Sequence, residues 1–397
     1  MSTVQSKSNH FSSNLTPTPE SAIPPEQTQI HIMSSSKTPP SSSSQGRNGV
    51  KFATPLPQSS RSEILEWTFP KPFSQYTLTG RSRAAWHTSF VIPQLDLLLD
   101  AGLCVNKLRP KHIFITHGHN DHAMLTPAFI KRADPPDIYC PVETASVLDE
   151  YLKANRMLNL GLSWSDIVAA GGKVQVAAEG EGSEDDDEDD KVEIEVEDDK
   201  TLEYGPSRTG KPAGASILAT HNLHGLVPGA IVPLRRTKNI DALAFKCDHT
   251  LPCLGFVFRQ TTHKLKPEYT SLSGPEIKAL RESGTVEITR PVVKPIFAFL
   301  GDTTASVLAS EPEWLREGIP VVITECSFLR EEHRKQAVKT KHTIWADLEP
   351  IVRKWPRTTF VVTHFSLRYS EEEIRRFFNG LEDPPANLVV WIDGIGE

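Results

Sequence analysis

The feature that most constrains this chain is a group of three histidines and an aspartate within six consecutive residues. Residues 111–115, KHIFI, are typical of a short buried strand, and residues 116–122, THGHNDH, follow it directly. Gly118 permits the tight turn that lets these side chains converge, because glycine has no Cβ. Imidazole nitrogens and carboxylate oxygens are ligands of zinc and similar divalent ions. We therefore predict a metal site here and not a loop of solvent-facing histidines.

The spacing within this loop predicts how two ions would share it. His117 and His119 alternate along the backbone, so their side chains can reach one ion. Asp121 and His122 then point elsewhere and can hold a second ion. The remaining ligands must come from later in the chain.

Two other clusters compete as ligand sources. His221 and His224 lie close together, but no carboxylate and no strong strand accompany them. Cys247 and Cys253 could offer thiolates, but a second cysteine pair at ligand spacing is missing from the sequence. Both sources are weaker than a histidine or aspartate at the end of an apolar strand.

Composition limits the partners and the compartment. The 397 residues suffice for a sizeable core, and the net charge of −7 gives no global basic excess that would indicate nucleic-acid binding by electrostatics alone. The five cysteines are odd in number and lie mostly in apolar segments, which is typical of reduced residues inside cells. No apolar run approaches the roughly 20 residues of a membrane span. We expect an intracellular protein, cytoplasmic or nuclear and without a membrane partner. Plastid targeting is left as an alternative because the N-terminal segment is rich in serine.

Two segments are expected to lie outside the folded part. Residues 1–57 are rich in Ser, Thr, Pro and Gln, and residues 179–199 form a dense acidic run. Neither composition can bury enough apolar surface to offset the entropy of ordering the chain. We predict a disordered tail over residues 1–57, one folded domain over residues 58–397, and a disordered acidic loop at about 179–199.

The folded part alternates strand-like and helix-like segments. Strands are predicted at residues 76–80, 88–92, 95–99, 243–247 and 255–258, and helices at residues 126–131 and 144–152. In the C-terminal third, four apolar segments each end in a polar loop, at residues 296–300, 321–323, 360–362 and 388–392. Such strands are typical of an α/β sheet that is covered on both faces, with functional residues beyond the strand ends.

The histidine cluster resembles the H-x-H-x-D-H signature of the metallo-β-lactamase fold, which implies an αββα sandwich with metals on loops at one sheet edge. Later motifs resemble the ribonuclease Z branch of that superfamily, the tRNA 3′-processing endonucleases, over most of residues 76–394. The motifs that carry this resemblance are Asp248-His249-Thr250 before Gly255-Phe256, Ser273-Gly274-Pro275, Leu300-Gly301-Asp302-Thr303, Thr324-Glu325-Cys326-Ser327-Phe328, Lys341-His342-Thr343 and Thr363-His364-Phe365-Ser366-Leu367-Arg368-Tyr369.

The resemblance implies two divalent metal ions, taken as zinc, that hydrolyse a phosphodiester. The ligands of the first ion would be three histidines, His117, His119 and His249. The ligands of the second ion would be Asp121, His122 and His364. Asp302 would bridge the two ions, since a carboxylate has two oxygens.

The same resemblance implies roles in catalysis and substrate binding. Asp121 would orient the nucleophilic hydroxide, and His342 would protonate the leaving alkoxide. Arg368 would bind a substrate phosphate through its planar fork, or else form a surface ion pair. Glu325 and Asp393 are expected to hydrogen-bond the loops around the metals.

Departures from the family leave the substrate open. Residues 78–87 replace the usual P-x-K-x-R-N loop, and His249 and Gly274 leave little room for the flexible arm that grips tRNA in typical members. The leading hypothesis is an endoribonuclease that acts on tRNA 3′ trailers. A hydrolase of a small phosphodiester or ester is the first alternative, and a non-catalytic member that binds RNA or protein is the second. The second is disfavoured because every ligand-type position and His342 are present; a homodimer is left open.

Overall fold

Strands make up most of the ordered framework in the computed structural model, which describes residues 44–45, 49–56, 64–105, 109–130, 134–163, 165, 218–235 and 237–393. The strands are β1 (Ser44–Gln45), β2 (Lys51–Pro55), β3 (Leu65–Thr68), β4 (Thr77–Arg83), β5 (His87–Ile92), β6 (Leu97–Leu99), β7 (His112–Phe114), β8 (Asp137–Pro141), β9 (Asn222–Leu226), β10 (Ile231–Pro233), β11 (Ile240–Lys246), β12 (Leu254–Leu265), β13 (Thr289–Phe299), β14 (Val321–Glu325), β15 (Thr359–Thr363) and β16 (Leu388–Asp393). The helices are α1 (Asn120–Ala123), α2 (Val142–Leu160), α3 (Gly274–Ser283), α4 (Ser306–Ala309), α5 (Glu313–Arg316), α6 (Arg334–Thr340), α7 (Trp345–Lys354) and α8 (Glu371–Asn379).

The strands pair into two sheets that share β2. The first sheet has the order β10-β11-β12-β13-β14-β15-β16-β2, and the second continues as β2-β3-β4-β5-β6-β7-β8-β9. Strands β13 to β16 are parallel to one another, and so are β6 to β9. Parallel strands are covered on both faces, which explains their near-continuous apolar sequences.

Alternate residues of each strand face different layers. On β13, Phe297 and Phe299 enter the core between the sheets, whereas Ala298 faces the helices that cover the outside of the first sheet. On β7, Phe114 enters the same inner core, while Ile113 packs with residues of α2 on the outside of the second sheet. This alternation follows from the two-residue period of a strand. The layers are helix, sheet, sheet and helix, so the predicted αββα sandwich of the metallo-β-lactamase type is confirmed.

Strand β2 corrects the predicted start of the folded part. Residues 51–55 fall within the segment predicted to be disordered, yet they pair with β16 on one side and β3 on the other. Phe52 and Ala53 are fully buried. Burial between two sheets is a tertiary effect that the average composition of a tail does not reveal. Residues 1–43 and the acidic run at 179–199 lie outside the described residues.

A projecting hairpin corrects the expectation that the chain has little room for an arm. Strand β12 pairs with β11 only as far as Gln260, and from Thr261 to Leu265 it pairs with β13 alone. Helix α3 joins the two strands, and none of its residues is buried. We call residues 261–294 the arm. It was missed because a strand predicted to end at Phe258 continues for seven residues that carry little apolar signal.

Smaller differences concern local geometry. The segment predicted as a helix at residues 126–131 forms a 3₁₀ turn over Thr126–Phe129, and Lys131 lies outside the described residues. Helix α2 is longer than predicted, and residues 222–226, where no strand was predicted, form the edge strand β9. Within the described ranges, no helix has the length and apolar character needed to cross a membrane.

Candidate metal centre

The predicted ligands come from loops at one edge of both sheets. From the second sheet, His117 and His119 follow β7, and the short helix α1 carries Asp121 and His122. From the first sheet come the residues just past strand ends: His249 after β11, Asp302 after β13 and His364 after β15. All seven are thereby brought into one cluster.

A glycine lets the two sheets approach at this point. Gly301 has a φ of +65°, which favours glycine, and a Cβ added there would lie 2.6 Å from the side chain of Thr116. Asp302 follows this glycine directly, and His117 follows Thr116. The close approach of the two backbones therefore carries the carboxylate of one sheet to the imidazole of the other. His364 also has a positive φ, 62°, a conformation that non-glycine residues rarely adopt.

The ligand atoms form two adjoining groups. His117, His119, His249 and Asp302 each offer an atom within 4.8 Å of the others, and Asp121, His122 and His364 do the same. A third group overlaps with these and adds His342 to Asp302 and His364. Nε2 of His117 lies 2.9 Å from Nδ1 of His119, and Nε2 of His122 lies 3.2 Å from Nε2 of His364. Ligands that are each 2.0–2.2 Å from a tetrahedral zinc ion lie roughly 3.3 Å apart. The observed separations fit that requirement.

Asp302 lies between the two groups. Its Oδ1 is 3.3 Å from Nε2 of His122 and 3.3 Å from Nε2 of His364, and its Oδ2 is 3.7 Å from Nε2 of His117. Asp302 is 2 % exposed, and among the described residues its Oδ1 has no hydrogen-bond partner. A buried carboxylate oxygen without a partner is costly unless a cation satisfies it. These residues therefore fit a bridged pair of divalent ions.

The buried carboxylates attract positive charge to the centre. Burial opposes a charge on His122, but Asp302 and Asp100 outweigh it and raise the pKa of His122 well above its usual value. Burial likewise opposes ionisation of Asp302, and the neighbours His122 and His364 nevertheless hold its pKa well below the usual value. A divalent ion would satisfy the same carboxylates while leaving His122 neutral, as a ligand must be.

Three of the imidazoles are fixed through their second nitrogen. Nδ1 of His122 lies 2.7 Å from Oδ2 of Asp100, and Nδ1 of His364 lies 3.1 Å from Oγ of Ser327. Nδ1 of His249 lies 3.3 Å from the backbone oxygen of Lys341. Such partners set the orientation of a metal-binding histidine. Asp100 directly follows the strand predicted at residues 95–99, and that position was the one signal the sequence offered for its role.

His342 is bound by a buried glutamate. Its Nδ1 lies 2.8 Å from Oε1 of Glu325, and 3.9 Å from Oδ2 of Asp302. Burial opposes its charge, but the carboxylates of Glu325 and Asp302 raise the pKa of His342 to about 9. Glu325 also accepts hydrogen bonds from the amide of Thr303 and the hydroxyl of Ser327, at 2.8 and 2.6 Å. The loop-bonding role expected for Glu325 is therefore observed, and its carboxylate favours the protonated form of His342.

The other predicted residues lie at the rim or away from the centre. Arg368 stacks over Phe328 at 5.2 Å from the ring centroid, and in the described part of the chain it forms no ion pair. Asp393 ends β16, where its backbone oxygen accepts a hydrogen bond from Arg375.

The competing clusters do not join the site. His221 and His224 bind the separate carboxylates of Asp149 and Asp137. Cys247 and Cys253 donate their thiol hydrogens to the backbone oxygens of residues 300 and 302. All five cysteines are free, as predicted.

Sequence analysis did not single out His87 and Trp86. His87 is buried at the start of β5, and burial, reinforced by Arg81 and Arg83, lowers its pKa to about 4. Ala85, just before Trp86, is hydrogen-bonded to a proposed ligand: its amide donates to Oδ2 of Asp121 at 2.7 Å. These residues occupy the stretch that departs from the family pattern, so no motif pointed to them.

Comparison with known proteins shows similarity to the metallo-beta-lactamase superfamily and to proteins named tRNase Z or ribonuclease Z. The model of the metallo-beta-lactamase superfamily matches residues 102–222. The protein named tRNase Z TRZ1 of Arabidopsis thaliana is 25 % identical over 316 residues, which is 78 % of this chain and 92 % of that protein. The chloroplastic tRNase Z TRZ2 of the same plant is 26 % identical over 76 % of this chain and 70 % of that protein. A nuclear ribonuclease Z of Triticum aestivum is 26 % identical over 55 % of this chain and 93 % of that protein.

Proposed function

We propose that this chain, which is similar to proteins named tRNase Z over most of its length, is a metal-dependent endoribonuclease that removes 3′ trailers from tRNA precursors. The observation that carries the proposal is the buried carboxylate of Asp302 between two sets of converging ligand atoms. The superfamily implies the use of divalent metal, and we propose two zinc ions. We expect the enzyme to act inside cells, in the cytoplasm, nucleus or a plastid.

The proposed ligands divide as the sequence predicts. His117, His119 and His249 would hold one ion, and Asp121, His122 and His364 would hold the other, with Asp302 shared between them. When bound, the pair would lower the pKa of a water molecule and neutralise charge on the phosphoryl oxygens.

The residues around the ions have separate tasks in the proposed reaction. Burial opposes ionisation of Asp121, but its hydrogen bond with His364 and the charge of His122 hold its pKa below the usual value. It is therefore ionised and can orient the attacking hydroxide. Nδ1 of His342 donates to Glu325, which favours the protonated ring, and Nε2 would give its proton to the departing 3′-oxygen of the ribose. Arg368, which Phe328 supports at the rim, would bind a phosphate of the substrate.

The arm supports an RNA substrate. Its basic side chains outnumber its acidic ones by six to four: Lys264, Lys266, Lys278, Arg281, Arg290 and Lys294 against Glu268, Glu276, Glu282 and Glu287. All of these basic side chains except Lys266 are exposed, so they can contact the phosphate backbone of a large ligand. The alternative of a small phosphodiester or ester was based on the expectation of little room for an arm. Because the structure contains the arm, that reason no longer supports the alternative.

The test compares substrates on one enzyme preparation. Metal-stripped protein would be reconstituted with zinc and assayed on a tRNA precursor with a 3′ trailer, on the same tRNA without a trailer, and on a small aryl phosphodiester. We expect about two zinc ions per chain on the two-metal scheme, cleavage at the trailer junction, and loss of both in Asp302→Ala. Hydrolysis of the aryl ester alone would favour the small-substrate alternative. If the protein binds the precursor but does not cut it, whether or not zinc has been added, the alternative of a non-catalytic binding protein is favoured.

A further inference from the structure

A single tryptophan stands exposed beside the metal centre. Trp86 lies in the turn between β4 and β5 and is 57 % exposed. Its amide donates to the backbone oxygen of Arg83 at 3.1 Å, so the turn itself is closed by a hydrogen bond. Scattered apolar residues on a surface are normal, so exposure alone does not make a site. The contacts of the turn distinguish this residue.

The turn is fixed to the loops that carry the proposed ligands. The amide of Ala85 donates to Oδ2 of Asp121 at 2.7 Å, and the amide of Ala84 donates to the backbone oxygen of Phe365 at 3.2 Å. Arg83 donates to the backbone oxygen of Tyr369 at 2.6 Å. Peptide geometry then keeps the Cα of Trp86 within about 8 Å of that aspartate oxygen. The backbone of Trp86 is therefore held close to the proposed metal site.

A buried histidine supports the indole from one side. The rings of Trp86 and His87 are 4.7 Å apart at 46°. His87 is only 7 % exposed, and its Nε2 has no hydrogen-bond partner among the described residues. Part of the indole is thus covered by protein, and more than half of the side chain remains open to a ligand. The buried ring of His87 therefore gives the indole a fixed neighbour on that side.

The chemistry of the substrate identifies what would fit. On the proposed function, the phosphodiester at the metals is joined to nucleotides whose bases must lie somewhere near the rim. Every base has a π face, and stacking on an aromatic side chain contributes roughly 1–3 kcal/mol per base with little sequence preference. We propose that Trp86 is a stacking platform for the nucleobase next to the scissile phosphate. It positions the substrate and takes no part in proton transfer; this inference rests on the proposed function.

Substrates with and without the base provide the test. The full-length zinc enzyme, Trp86→Ala and Trp86→Phe would be assayed on matched RNA precursors, normal or abasic at the nucleotide on each side of the cleavage site. We expect Trp86→Ala to raise KM by roughly 5- to 150-fold on normal RNA, with kcat within about twofold. One of the abasic substrates should abolish the difference, and Trp86→Phe should recover most of the affinity.

Controls keep the outcome interpretable. Leu158→Ala, a substitution of another exposed apolar residue at the far end of α2, should change nothing. Dissociation constants for RNA with a methylphosphonate at the cleavage site give the same comparison without turnover. If the wild-type protein binds this RNA but does not cut normal RNA, the proposed reaction is refuted. The ratio of the dissociation constants of Trp86→Ala and wild type would still decide the role of Trp86. An unchanged KM and Kd in Trp86→Ala, or an equal loss on normal RNA and on both abasic RNAs, would overturn the inference.

Discussion

At the scale of single residues, replacing His342 and replacing His364 should have different effects on zinc binding. His364 lies 3.3 Å from Asp302 and offers Nε2 to the ligand group, so His364→Ala should lose both bound zinc and activity. His342 is bonded to Glu325, so His342→Ala should retain zinc and slow turnover by roughly 10²–10⁴-fold, the usual effect of losing a general acid. Zinc content and kcat, measured on the same preparations, check both expectations.

The leaving group gives the control for that assignment. A nitrophenolate departs without a proton, whereas a ribose 3′-oxygen does not. The loss in His342→Ala should therefore be much smaller on a nitrophenyl phosphodiester than on RNA. If both substrates slow equally, or if zinc is lost, His342 is a ligand or a structural residue.

The pH dependence of turnover should report the pair formed by His342 and Glu325. Glu325 raises the pKa of His342 to about 9, above the usual 6.5, so the proton that the reaction needs is present at neutral pH and is lost as the pH rises through about 9. Glu325→Gln removes the negative partner, and the alkaline limb of the kcat profile should move to lower pH. Glu332→Gln, an exposed control nearby, should leave the limb in place. An unmoved limb in Glu325→Gln would mean that another group sets it.

The sequence predicted the ligand-type residues and not the residues that orient them. His117, His119, Asp121 and His122 form a dense motif, and the distant ligands each follow an apolar strand. Asp100 orients His122 from 22 positions away in the chain, and an isolated aspartate after a strand is equally typical of a turn. Orientation depends on three-dimensional contacts that a local pattern does not encode.

At the scale of elements, the arm should serve substrate binding and not the chemistry. Helix α3 buries none of its residues, so replacing residues 262–292 with a short glycine-rich turn should leave the sandwich intact. Loss of the basic side chains should raise KM for tRNA precursors at least roughly 10-fold and reduce its dependence on salt. Hydrolysis of an aryl phosphodiester is the internal control and should change by less than about twofold. Equal loss on both substrates would indicate that the arm supports the metal centre.

Strands that are buried on both faces have continuous apolar sequences, and these strands could be predicted. Strands β14, β15 and β16 are of this kind, and each was predicted within a few residues. The outer half of β12 and the strand β2 were missed for opposite reasons. The first is exposed and has no apolar period, and the second is buried by sheets that form elsewhere in the chain.

At the scale of the whole molecule, the proposed metal centre joins the two sheets. His117 and His122 belong to the second sheet, whereas Asp302 and His364 belong to the first, and Nε2 of His122 lies 3.2 Å from Nε2 of His364 across that boundary. Bound zinc should therefore stabilise the packing of one sheet against the other. Ligand binding at 1,000-fold excess over Kd contributes about 4 kcal/mol, which is roughly 10 °C in Tm for a domain of this size.

Thermal unfolding with and without a chelator measures that link. Wild-type protein should lose on the order of 10 °C in Tm when the metals are removed, and zinc should restore it. Asp302→Ala should show little response to zinc, because it lacks the residue that lies against both ligand groups. Arg368→Ala, a change at the rim, should respond as the wild type does. If chelation abolishes activity while the Tm of the wild type stays constant, the ions serve the reaction without joining the sheets. The sandwich would then be held by the inner aromatic core alone. The contact of Phe90 with Trp391, whose ring centroids are 5.1 Å apart, belongs to that core.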